Sequence, residues 1–186
     1  MRDDEVMTDD EAASYLAEVA GYDKWPEGVG LAFDRALCEA TVENARVDFD
    51  EAVARYRVVE AEFLPRVGMA EENAKQVRRH IVELILDAAL VKQQPLDVAR
   101  QWWTTLVELG FYRLERQCRA TWSFASACLD GGQTAFAMEI LAPLIAELER
   151  LQAASDATES EAGYYRHQLD LLRRVYAQCG IDAAGE

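Results

Sequence analysis

Proline and glycine are scarce in this chain, at four and ten of 186 residues. So few breakers favour long helices joined by short turns, and most glycines fall between apolar-periodic segments. Histidine is scarcer still: His80 and His167 are the only two. No HExxH pair exists, and His80-Ile81-Val82-Glu83 reverses the Glu-x-x-His order of carboxylate-bridged di-iron bundles. GxSxG, GxGxxG and GKS/GKT are absent too, so serine hydrolysis and phosphate cradling lack their signatures. No metal, no cofactor and no catalytic residue is expected.

The four cysteines (Cys38, Cys118, Cys128, Cys179) form no CxxC pair. Each lies on or beside an apolar helical face, which reads as small buried hydrophobes in a reducing compartment. No apolar run approaches the ~20 residues that span a bilayer, and no basic start leads into an apolar stretch. The expected setting is cytoplasmic, with no membrane partner. Alternating β-branched runs and the Asn-Gly or Asp-Gly turns that join hairpin strands are missing as well, which excludes a sheet.

Acid, by contrast, is abundant: 34 Asp and Glu against 19 Lys and Arg give a net charge of −15. It is concentrated early, because residues 1–62 hold 17 acidic and 6 basic side chains. Such a surface repels nucleic acid and the anionic inner leaflet, so neither is expected as a partner.

Half the residues are hydrophobic (51%), enough for one self-sufficient core, and their spacing is helical throughout. Residues 1–7 read as a disordered N-terminus, 8–180 as a single all-helical domain, and 181–186 as a flexible tail. Thr8-Asp9-Asp10-Glu11 has the form of a capping box opening a short helix that ends at Gly21. Trp25 is the expected anchor of the loop 22–30. Further helices are expected at about 31–45, 49–64, 69–93, from Pro95 to Gly110, 111–129, 133–152 and 160–179. Pro143 lies inside the sixth of these and predicts a kink or a break. Residues 153–160 read as a linker. The last helix carries Tyr165, Leu169, Leu172, Tyr176 and Cys179 in one amphipathic stripe.

Two stretches coincide when Ala52 is laid on Ala137. Ala40 then falls on Ala125, Tyr56 on Leu141 and Val59 on Leu144. Each stretch has a small residue midway along a first helix, a tight turn, and an alanine early in the second. This layout, clearest in residues 129–141 (LDGGQTAFAMEIL), resembles the tetratricopeptide repeat, in which small residues let paired antiparallel helices approach closely. The resemblance implies an all-α fold of helical hairpins stacked as a short solenoid, and a role in protein binding. No steady repeat period runs through the chain, so an irregular bundle of about seven helices is the alternative architecture.

Two surfaces are candidate sites for a partner protein or peptide. Arg113, Arg116 and Arg119 recur every three residues in an otherwise acidic molecule, flanked by Tyr112 and Trp122, and arginine forks bind carboxylates. Trp102 and Trp103 must point about 100° apart on a helix, so one belongs to the core and the other to a helix contact or an interface; Trp103 is grouped with the arginine face. The second surface is acidic: Glu39, Glu43, Asp48, Asp50 and Glu51. A non-enzymatic interaction module (an adaptor, chaperone or immunity-type protein) is the function these features imply. The alternative is a regulatory domain that senses a small ligand in an aromatic pocket lined by Trp102, Trp103, Tyr112 or Trp122.

Overall fold

The structure, a computed structural model, describes residues 22–111, 113–154 and 158–183. The described residues are all-helical: one short 3-10 turn, seven α-helices and no strand. They fall into two compact units, one within residues 1–88 and one within 89–186, divided in the last turn of the third helix. The proposed capping box at Thr8 and its helix lie outside the described residues.

The first unit is built on a hairpin of α1 (Val29–Asn44) and α2 (Phe49–Phe63). α1 starts after Gly28, whose φ of +73° is a conformation that side-chain-bearing residues rarely adopt. Its inner face is Phe33, Leu37, Ala40 and Asn44, one residue per turn. α2 buries Phe49, Ala52, Tyr56, Val59 and Phe63 in the same rhythm, and the small Ala40 and Ala52 are both buried. Polar ties lock the hairpin: Thr41 and Tyr56 share a hydroxyl–hydroxyl bond of 3.0 Å, and the Asn44 side-chain amide donates to the Ala52 carbonyl at 3.4 Å.

Asp48 ends the interhelical turn as the N-cap of α2, its carboxylate accepting the Glu51 amide at 2.9 Å. Asp48→Ala is expected to lower stability by about 1 kcal/mol, read as a drop in the urea midpoint with an unchanged slope. Asp48→Asn, which keeps the acceptor, should recover most of that loss.

α3 (Glu71–Val91) follows a loop in which Val67 is buried, and its Asn73 amide donates to the Val67 and Lys24 carbonyls at 2.7 and 3.2 Å. Within this unit α3 buries Val77, Ile81, Val82, Ile85 and Leu86. The 3-10 turn Tyr22–Lys24 is fastened to this body by aromatic packing. Tyr22, Trp25, Phe33 and Phe63 form a chain of ring contacts 4.3–6.2 Å apart, and the Trp25 indole donates to Gln76 at 3.1 Å. Trp25 is thus the anchor its loop was expected to have.

In the second unit α4 (Leu96–Leu109) packs on α5 (Leu114–Asp130), and α5, α6 (Thr134–Gln152) and α7 (Glu159–Ala183) pack on one another. Pro95 stands just before α4, where its missing N–H costs nothing, and Gly110 ends that helix with a φ of +73°. The α5–α6 hairpin buries both Ala125 and Ala137, with Leu141 and Leu144 following. The four residues that coincide with the first hairpin in the 85-residue shift are therefore core residues in both units.

The course of α6 and the end of α7 differ from the sequence reading. α6 runs unbroken through Pro143. Glu139, whose carbonyl loses its donor, and the proline are both exposed, while Leu141, Leu144 and Leu148 hold the opposite, buried face. α7 begins at Glu159, within one residue of the expected start, and opens on a capping box: Thr158 Oγ1 accepts the Glu161 amide at 3.2 Å, and Glu161 accepts the Thr158 amide at 2.9 Å. The Thr158 hydroxyl also donates to the Glu161 carboxylate at 2.7 Å, and this bond, followed by that from the Thr158 amide, holds the exposed carboxyl below its ordinary pKa. At its other end α7 continues past Gly180 to Ala183, beyond the expected helix limit near residue 179, and residues 184–186 of the expected tail lie outside the described residues.

Candidate interaction surfaces

α5 turns Cys118, Thr121, Phe124, Ala125 and Cys128 inward. The ridge Arg116, Arg119, Trp122 lies on the exposed side, one residue every three positions. Trp122 is 42% exposed, and it is the one aromatic among the large hydrophobic residues left at the surface of the described chain. Covering the open part of an indole is worth roughly 2 kcal/mol to a partner.

Arg113 is not on the helix. It occupies the N-cap position with extended backbone (φ −139°, ψ 148°) and provides no side-chain cap, so the helix begins one residue later, at Leu114. Tyr112 lies outside the described residues. Trp103 belongs to the interior: it is 7% exposed and stacks on Phe124 at 5.3 Å, with Phe111 at 5.8 Å. Phe136 closes the cluster edge-on to Phe124 at 6.1 Å, and the Arg100 guanidinium lies over the Phe136 ring at 4.1 Å while donating to Gln133. Trp103 is filling material for α4, α5 and α6, not the wall of an open cleft. Trp102 is half-buried.

The acidic surface of the first unit has internal work for four of its five members. Arg55 reaches from α2 to bond Glu43 at 2.8 Å and Glu51 at 2.7 Å, and Asp48 caps α2. Glu51 and Asp50 also sit in the first turn of α2, where a carboxylate complements the helix dipole. Glu39 is exposed on α1. Glu60, missed by the sequence reading, is a largely buried carboxylate held by Arg57 and by Arg78 at 3.8 Å, which ties α2 to α3. Its signal was present as Arg57 and Glu60 one turn apart.

Ionisable side chains elsewhere serve packing. His80 donates from Nδ1 to the Gln76 carbonyl at 2.9 Å, and its ring sits among Tyr22 and Phe33. The Tyr22 hydroxyl donates to Asp34 at 2.9 Å and lies 3.5 Å from His80 Nε2. Among the described residues, no three His, Cys, Asp or Glu side chains group as a metal site. No described helix is long and apolar enough to cross a membrane.

Three of the cysteines are buried; Cys38 is exposed on α1. Burial pushes the Cys118 and Cys128 thiols from 9.0 up to about 11. The Tyr164 hydroxyl of α7 is buried beside Cys118, and burial raises its pKa as well. A thiol reagent at neutral pH should therefore modify Cys38 rapidly and the other three only on unfolding, as read by mass spectrometry of timed aliquots. Because the folded chain keeps the two thiol protons that the unfolded chain sheds, stability should fall as pH rises from 9.0 to about 11. Cys118→Ala with Cys128→Ala should flatten that fall.

No family model, no curated protein and no solved structure matches this chain.

Proposed function

We propose that the chain is a non-enzymatic protein–protein interaction module, a pair of helical hairpins similar in plan to tetratricopeptide proteins, which docks a partner through the outer edge of α5. The observation that carries this reading is Trp122. An indole 42% exposed on a helix whose other face is packed leaves an aromatic surface open to a partner, and Trp is among the residues that dominate interface energies. Arg116 and Arg119 continue the same ridge, and arginine is the other residue type enriched in such positions. A cytoplasmic setting belongs to this reading, since none of its four cysteines forms a disulfide.

The test is affinity capture by the full-length chain, quantified against Trp122→Ala. Circular dichroism and the melting curve should be unchanged, because Trp122 contributes little to the core. A partner retained by the parent chain and lost by the variant supports the reading. An identical set of captured proteins overturns it.

A further inference from the structure

Helix α6 begins with an electrostatic conflict. Its first turn holds no acidic residue, and the N-cap Gln133 gives it no side-chain cap. The amides of Thr134, Ala135 and Phe136 have no intrahelical acceptor, which makes this end of the helix positive. Against the same turn the fold sets a cation. Arg100 of α4 lies with its guanidinium 4.1 Å from the centre of the Phe136 ring and donates from Nη2 to the Gln133 side-chain oxygen. Among the described residues Arg100 has no ion pair, not even with Asp97 one turn earlier on α4.

The Nε of Arg100 is fully buried and has no hydrogen-bond partner among the described residues. Nε–H and one Nη2–H project side by side from one edge of the planar guanidinium, the fork that takes both oxygens of a carboxylate. Gln133 offers that fork a single neutral oxygen, so one tooth is bonded and the other is bare. The Phe136 face steadies the charge but gives Nε no acceptor, and a buried donor left unmet on a charged group is destabilising.

We infer that Arg100 and the first turn of α6 form a binding site for a small monocarboxylate. The ligand displaces the Gln133 side chain, takes Nε and Nη2 with its two oxygens, and lies at the positive end of α6. A carboxylate has about four acceptor positions, enough for the fork and a helix amide together. The occupant has to be small, because Nε is shielded and the Gln133 side chain holds the same guanidinium edge. The approach is open on the loop side, where nothing stands within 4 Å of a carbon added at Gly132. One negative charge suits the place better than two, since Asp97 and Asp130 lie three residues from Arg100 and Gln133 in the chain. The site shares no residue with the α5 ridge, so either can fail without the other.

The test is a nuclear magnetic resonance titration of the full chain with sodium acetate, sodium sulfate and acetamide, the salts at ionic strength matched with sodium chloride. Acetate should shift the Arg100 Nε–H signal and the Thr134 and Ala135 amide signals saturably. Gln133→Glu supplies the second oxygen from within, so it should raise the thermal midpoint and weaken acetate binding about tenfold. Arg100→Lys keeps the charge but not the fork, and should weaken binding by a similar factor. Sulfate or acetamide binding as tightly as acetate overturns the carboxylate assignment. The site itself is overturned by the absence of a saturable acetate shift, by acetate binding unchanged in either variant, or by a Gln133→Glu chain that melts below the parent.

Discussion

Phe124→Ala is expected to remove about 3–5 kcal/mol of stability, enough to unfold much of the second unit's population at ordinary temperature if its margin is typical. Phe124 is fully buried, with Trp103 stacked on one side and Phe136 edge-on at another. Truncation deletes the shared ring of that cluster and leaves a cavity that three helices meet around. The surrounding rings are rigid and cannot collapse into it, which places the cost toward the upper end. Phe124→Leu, which refills most of the volume, should recover more than half. Urea melts followed by far-ultraviolet circular dichroism measure both. A loss under 1 kcal/mol (roughly what a surface position tolerates) would mean the cluster does not carry the packing assigned to it.

The second large effect reverses a familiar expectation. Replacing glycine by alanine inside a helix normally stabilises by about 0.5–1 kcal/mol, because alanine has less backbone entropy to lose. Gly30→Ala should instead destabilise. A Cβ there would stand 2.6 Å from Tyr22 Cδ2 and 2.8 Å from Tyr22 Cβ. Tyr22 cannot yield cheaply, since it is packed against Trp25 at 4.3 Å and its hydroxyl is bonded to Asp34. Overpacking of this kind costs about 1–3 kcal/mol, which exceeds the propensity gain. The internal comparison is Gly163→Ala in α7, where nothing lies within 4 Å of the added carbon. That variant should gain about 0.5–1 kcal/mol, so the two substitutions move the thermal midpoint in opposite directions. If both raise it, the approach of Tyr22 to Gly30 is not the constraint described.

The Gly30 contrast also marks how far one dimension reaches. Both glycines look alike in the sequence, and only the ring that folds back from position 22 separates them. Trp102 and Trp103 pose the same problem. Helical geometry requires that they diverge, but which one enters the core depends on where α5 presents Phe124. Cys38 follows Glu39's exposed side of α1 rather than the buried face that holds Leu37 and Ala40, a rotation of one residue that a loosely read periodicity blurs. The run of three arginines loses Arg113 to the N-cap because the helix starts at Leu114, and helix starts depend on which neighbouring group satisfies the first amides. The acidic surface was visible as composition, yet Arg55 binding both Glu43 and Glu51 required α1 and α2 to lie side by side. Conversely, the Thr158–Glu161 capping box was legible as a Thr-x-x-Glu signature and was absorbed into a polar linker.

What the order of residues determined by itself is the set of helices, their approximate ends and the two hairpins whose alanines coincide. These depend on periodicity, capping and breakers, all of which act within a few residues. Tertiary structure alone decided that Trp103 is interior and Trp122 is not, that Arg78 of α3 reaches Glu60, and that α6 survives Pro143. Each of those outcomes is settled by side chains distant in the chain, whose packing can cover a surface, supply a counter-charge or hold a helix by its buried face, and no local pattern carries that information.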